Sequence, residues 1–213
     1  MTGGRRRRWM DVLGLALLVG GLGMALAAAG SIAVDERQQQ QLNRQWEEER
    51  RSLRPSDEPA AAGAAGAPAR PGPGTTGART APGPRSGAVF ALRIPRLSYY
   101  AAVRQGVTLG VLGLGPGHYP TTAWPGQPGN VGVAAHNLFW IHFDQLRPGD
   151  EIVVEARDGT YRYRITGSRV IAPSDSSVLA GGGGHRLTLT TCWPLWAGAL
   201  APQRFAISAV QVT

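Results

Sequence analysis

The segment from Pro55 to Gly87 most constrains what this chain can become. Of its 33 residues, 23 are Ala, Gly or Pro and none is Leu, Ile, Val or Phe, so it cannot bury enough apolar surface to offset the entropy of ordering a chain. It is predicted to be a disordered linker, and it divides the protein into unlike parts. The 126 residues beyond it, Ala88 to Thr213, are rich in Val, Ile, Leu and aromatic residues and long enough for one sizeable core. Before it stand a hydrophobic run and a polar stretch. One Cys in the whole chain excludes an internal disulfide framework and a multi-Cys zinc site.

The N-terminal part has the character of a membrane segment. Residues 1–11 are a basic N-terminus containing Arg5 to Arg8, and the run from Val12 to Val34 has 23 residues without a charge. As a helix it would extend about 34 Å, against about 30 Å for the hydrocarbon core of a bilayer. Arginines before the run favour a cytoplasmic N-terminus, with the rest of the chain outside a cell membrane it crosses once. A cleaved signal peptide is the competing reading, because Ala25, Ala27, Ala29 and Ala33 provide small-residue sites; the run is too long for a typical signal core. Residues 35–87 are then an extracytoplasmic stalk and linker. Within them, Asp35 to Arg54 is helix-prone, with Leu42, Trp46 and Leu53 on a narrow stripe, and reads as a short solvated helix next to the membrane.

The C-terminal part, 88–213, reads as all-β. Short apolar or alternating runs recur at Val89 to Ile94, Tyr99 to Arg104, Asn130 to His136, Glu151 to Arg157, Tyr161 to Ile171, Arg186 to Cys192 and Arg204 to Val212, with Asp158-Gly159 as a hairpin signal. Brief helical turns at Thr108 to Leu112 and Ser176 to Leu179 are too short for a βαβ crossover, so a closed or nearly closed barrel is expected.

Reactive residues collect at strand ends. Side chains alternate between the faces of a strand. Leu187, Leu189 and Thr191 therefore share one face, and Thr188, Thr190 and Cys192 the other. Likewise Phe205, Ile207 and Ala209 oppose Arg204, and Val131, Val133 and Ala135 oppose His136. Three strands thus offer Cys192, His136 and Arg204 on their less apolar faces. A thiol is only a few per cent thiolate at neutral pH, so a nucleophilic Cys needs a cationic neighbour. An Arg cannot act as a base, but its planar fork can hold a carbonyl or an oxyanion. Proton transfer then falls to His136.

These residues resemble a known family. Leu187-Thr-Leu-Thr-Thr-Cys192 is similar to the TLxTC signature of sortases, the membrane-anchored cysteine transpeptidases that attach exported proteins to the Gram-positive cell wall. Cys192-Trp-Pro-Leu-Trp followed by Arg204 is most similar to class D sortases, and Gly117-His-Tyr-Pro, Pro125-Gly-Gln-Pro-Gly-Asn and His136 resemble the family's approach to its catalytic His. The resemblance implies an eight-stranded sortase-type β-barrel and a ping-pong thiol peptidase of the hydrolase class. Cys192 would cleave an LPxTG-like sorting signal after Thr, His136 would serve as acid and base, and Arg204 would stabilise the oxyanion. Its partners would be secreted proteins bearing a C-terminal sorting signal and the amine of a peptidoglycan precursor. Trp193 as an aromatic wall, with Thr191, Asn137 and His118, completes the expected substrate contacts.

Neither a metal nor another cofactor is expected, and the acids of the domain form no ligand cluster that would indicate calcium dependence. An L,D-transpeptidase would carry a Ser-His-Gly-Cys cluster, which is absent; a catalytically degenerate barrel acting as a peptide-binding module is the remaining alternative. The basic surplus of +8 has no aromatic-interleaved patch, so nucleic acid is not an expected partner.

Overall fold

In the computed structural model, residues 17–22, 36–53 and 87–212 are described. The expected linker, apart from Gly87, and most of the expected Val12 to Val34 span lie outside them; residues 17–22 are helical and exposed. Among the described residues, no helix is long and apolar enough to cross a membrane.

Helix α1 covers residues 36–53. The domain that follows contains β1 (Ala88–Ile94), β2 (Tyr99–Gln105), the single turn α2 (Leu109–Leu112), β3 (Gly117–His118), β4 (Gly129–Ala134), β5 (Glu151–Glu155), β6 (Thr160–Ile171), β7 (His185–Trp193) and β8 (Gln203–Val212). The strands close into an eight-stranded barrel in the order β1-β2-β3-β4-β7-β8-β6-β5. Both expected turns form: Thr108 caps α2 through its hydroxyl, which accepts from the Val111 N–H, and Ser177–Leu179 is one turn of 3-10 helix. The Asp158-Gly159 hairpin joins β5 to β6, closed by the Ala156 N–H on the Gly159 carbonyl. The two-residue β3 was not foreseen, being too short to show periodicity. It links β2, to which it is parallel, with β4.

Alternation explains what fills the barrel. Val131, Val133, Leu187, Leu189, Phe205 and Ile207 all point inward and are buried, joining Phe90, Leu92, Ile94, Ile152 and Val154 in one core. Three of the eight pairings join strands that are not consecutive in sequence: β4 with β7 in parallel, and β6 with β8 and β1 with β5 in antiparallel.

Helix α1 corrects the expectation of a solvated stalk. Leu42 and Trp46 are buried, Trp46 completely, within the same apolar cluster as the barrel residues, whereas Leu53 is exposed. The bed is the outer face of β1, β2 and β5, where Ala91 pairs with both Ala102 and Glu155. Small side chains there let a helix approach closely, and both alanines are fully buried. Polar groups lock the register. Gln39 Nε2 donates to the Ala102 carbonyl at 3.0 Å, while Asn43 Oδ1 accepts from the Ala102 N–H at 2.8 Å. Toward the other end Arg50 pairs with Glu155 and Arg157 with Glu49, each at 2.7 Å. Arg157 also lies over the Trp46 ring, 4.8 Å from its centroid.

Trp46→Ala is expected to weaken this docking by about 3–5 kcal/mol, the usual cost of deleting a buried large aromatic. Trypsin should then cut at Arg50 and Arg51, with a smaller change in the urea midpoint of the barrel; unchanged protection of that pair would count against a docked α1.

Candidate active site

The site lies on the outer face of four neighbouring strands, β4, β7, β8 and β6. The register makes a grid of it. Thr188 pairs with Gly132 on one side and Ser208 on the other; Thr190 pairs with Ala134 and Ala206; Cys192 pairs with Arg204. Each row steps two residues along the strands, so every member faces outward. The floor is made of small or hydroxylated side chains until the last row, where the reactive groups stand.

Cys192 and Arg204 are direct partners in the antiparallel β7–β8 ladder, which places their Cβ atoms about 4.5–5.5 Å apart on one face. Both are partly exposed, and the thiol is free. One Arg204 Nη donates to the Gln203 carbonyl at 3.0 Å, which directs the guanidinium along the strand end. His136 reaches the same end of the sheet from β4. That strand ends at Ala134, not at His136, but the Ala135 N–H still donates to the Thr190 carbonyl at 3.2 Å. His136 is therefore carried one residue past the ladder, on the strand adjoining that of Cys192, where a turn begins: its carbonyl accepts from the Phe139 N–H at 3.0 Å. The structure thus brings Cys192, His136 and Arg204 to one end of one face.

The four other expected contacts are placed differently. Trp193 is half-buried and, one residue past Cys192, turns to the inward face, where it stacks on Phe205 with ring centroids 5.2 Å apart. Asn137 is buried, and its amide donates to the Gly198 carbonyl at 3.3 Å. It ties the β4–β5 loop to the β7–β8 loop instead of facing the floor. Thr191 points into the barrel with Leu187 and Leu189 and is buried, its hydroxyl without a hydrogen-bond partner. That inward position is dictated by strand alternation, which contradicts a substrate contact.

His118 is also interior, fully buried between Phe90 and Trp124. Its Nε2–H donates to the Ala123 carbonyl at 3.0 Å, and Nδ1 lies 3.1 Å from the Gln105 side-chain amide. Burial lowers its pKa, so the ring is neutral at pH 7.

Sequence reasoning missed the walls. The β6–β7 loop folds back over the floor, where Val178 and Leu179 pack on Ile171 and Ala206. It is latched there by the Val178 carbonyl, which accepts from Asn130 Nδ2 at 2.9 Å and from the Thr188 hydroxyl at 3.0 Å. On the other side the Tyr119 hydroxyl meets the Thr190 hydroxyl at 2.9 Å. Gly132 lies beneath both walls, and a Cβ there would come within 3.0 Å of Leu179, Thr122 and Tyr119. Only its small size gave a signal in the sequence. A cleft of about 410 Å³ lies behind the β6–β7 loop, lined by Arg169, Arg186, Ser168 and Ser208 among others, and it contains none of Cys192, His136 and Arg204. Chemistry, not cavity depth, locates the site.

The chain is thus a closed eight-stranded barrel with a free thiol, an imidazole and a guanidinium gathered at one end of the sheet. The chain can be placed more closely. The Sortase domain family profile matches residues 92–212, and the chain belongs to the sortase family. It is 26% identical over 124 residues to Sortase D of Bacillus subtilis, covering 57% of this chain and 63% of the relative. It is 36% identical over 123 residues to Sortase SrtE1 of Streptomyces coelicolor, covering 48% and 35% respectively. The match therefore spans less than two thirds of either relative. Among solved structures, a Sortase D5 transpeptidase of Clostridium perfringens superposes with a TM-score of 0.56 at 27% identity, over 60% of this chain and 81% of that one. Sortase E1 of Streptomyces coelicolor with a tripeptide in its active site gives 0.55 at 29% identity, over 59% and 88%. Similarity to class D is thus supported, alongside a comparable likeness to a class E protein.

Two measurements bear on the buried residues. Thr191→Val is expected to raise stability by about 1 kcal/mol, because it removes a buried hydroxyl that has no partner, and to leave the rate of Cys192 alkylation unchanged; a slowed alkylation would return Thr191 to the site. For His118, the ordinary value is 6.5 and the folded value lies below it, so between the two the unfolded chain binds more protons than the folded chain. Stability by urea unfolding should therefore fall as the pH drops below about 6.5 and level off once the folded ring also protonates. His118→Gln should flatten that part of the profile.

Proposed function

We propose that this sortase is a membrane-anchored cysteine transpeptidase that cleaves an LPxTG-like sorting signal after Thr and transfers the new carboxyl end to the amine of a cell-wall precursor. The observation that carries the reading is the pairing of Cys192 with Arg204, with His136 brought to the same sheet end by β4. Support for an exported, anchored domain comes from Arg5 to Arg8 ahead of the uncharged Val12 to Val34 run, with the N-terminus cytoplasmic and the barrel outside.

In this mechanism the Cys192 thiolate attacks the Thr carbonyl, forming a C–S bond and an oxyanion. Arg204, one strand away on the same face, is placed to donate to that oxygen, where its charge acts only as the oxyanion develops. Collapse breaks the C–N bond, and His136 as imidazolium gives its proton to the departing amine. The acyl group now rests on sulfur. An incoming amine loses a proton to neutral His136 and attacks the thioester, and the thiolate leaves, restoring the starting pair. Beyond the walls that cover Gly132 and Ala134, the partly exposed Cys192 and Arg204 are open to a peptide arriving at the end of the sheet.

With a library of sorting-signal peptides, the protein is expected to give an acyl adduct on Cys192 by mass spectrometry, and Cys192→Ala none. Arg204→Lys keeps the charge but loses the planar fork, and should lower turnover by about 10²–10³-fold, the cost of removing one oxyanion donor. A folded protein that gives neither adduct nor cleavage would leave only the peptide-binding module.

A further inference from the structure

Two loops flank the site, and apart from His136 and His142 both lack ionisable side chains. No Asp, Glu, Lys or Arg occurs from Ala135 to Phe143 or from Trp193 to Gln203, although the chain has 22 basic and 14 acidic residues. The first loop exposes Leu138 (67%) and Ile141 (39%); the second exposes Trp196 (81%) and Leu200 (88%). The Asn137 amide on the Gly198 carbonyl ties the two loops together, so these four exposed side chains stand on adjoining loops beside the site. Large apolar side chains exposed together in this way mark a contact with something outside the domain.

The docking of α1 indicates what that contact is. Residue 36 begins a helix clamped to the barrel. Its first turns lie by the start of β3, because a Cβ at Gly115 would collide with the Gln39 side chain. Gly117 of β3 pairs with Ala134 of β4 in antiparallel register, so Gly115 and His136 extend beyond the same end of that pair. The uncharged run ends at Val34, leaving only Asp35 before α1, and one residue spans at most about 3.6 Å. The chain between membrane and barrel therefore has almost no slack, and it leaves the barrel near the end that carries the site.

We infer that the barrel is seated on the lipid bilayer, with Leu138, Ile141, Trp196 and Leu200 in the interfacial layer and the active site facing the membrane surface. The inference rests on reading Val12 to Val34 as the membrane span. An indole suits that depth, having an apolar body and a polar N–H. The absence of carboxylate, guanidinium and ammonium groups from both loops limits the charge to be desolvated to that of the site itself. The Ala/Gly/Pro segment, joining α1 to β1, lies outside the path from membrane to barrel and sets no reach.

The test uses the full chain in phosphatidylcholine and phosphatidylglycerol vesicles, with and without lipids brominated near the headgroup end of the acyl chains. The fluorescence difference between wild type and Trp196→Phe isolates one indole among six. Bromolipid should quench that difference by roughly half or more, as expected at the depth Trp prefers. Leu138→Glu combined with Leu200→Glu, both at exposed positions, should abolish the quenching. A chain that floats with vesicles after an alkaline wash, yet shows no quenching of Trp196, overturns the seating and leaves the anchor intact. A chain stripped by the wash overturns both. Shielding of Trp196 only when a sorting-signal peptide is added overturns the seating in favour of a substrate contact.

Discussion

The β7–β8 register is the constraint on which the site depends. Once Leu189 is committed to the core opposite Ile207, alternation obliges Cys192 and Arg204 to face outward together. A slip of one residue would exchange the faces of β7 and put the thiol among the aliphatic side chains. Core packing thus fixes the nucleophile's surroundings without any contact to the thiol itself. The parallel neighbour β4 adds the imidazole in the same way, since Val131 and Val133 lie in the interior and the chain passes the end of the ladder just before His136.

The site is framed by loops that the barrel positions with polar latches. Asn130 and Thr188 hold the β6–β7 loop by its Val178 carbonyl, Tyr119 meets Thr190, and Asn137 reaches Gly198. Of these, Asn130, Thr188, Thr190 and Asn137 are buried, where an unmet amide or hydroxyl costs about 1–3 kcal/mol. They therefore hold each loop in one place. The walls close over Gly132, Ala134 and Ala206, which are buried, whereas solvent reaches the last row, with Cys192 and Arg204.

Much of this was legible in the sequence. The strand runs, the Asp158-Gly159 turn and the outward parity of Cys192 and Arg204 follow from period-two patterning, which a half-buried sheet imposes on every residue. Thr191 and His118 were misread for different reasons. Thr191 adjoins Cys192 in the TLxTC stretch, but its parity, like that of Trp193, points inward. His118 lies in a strand of two residues, too short to reveal a face. The docked α1 was harder to see, because a narrow stripe of Leu42 and Trp46 fits a solvated helix as well as a packed one. Its bed left a faint trace: Ala91 and Ala102 occupy outward positions in register with polar Glu155, where a solvated face ordinarily carries larger polar groups.

Synthesis runs from the N-terminus, and it gives the α1 contacts an order in time. Gln39 must wait for Ala102, 63 residues later, and Arg50 for Thr160, 110 residues later. The helix is made first and satisfied last. Through that interval Trp46 and Leu42 lack the surface that covers them in the folded protein, so the apolar stripe of α1 stays open to misassociation until β1, β2 and β5 have assembled.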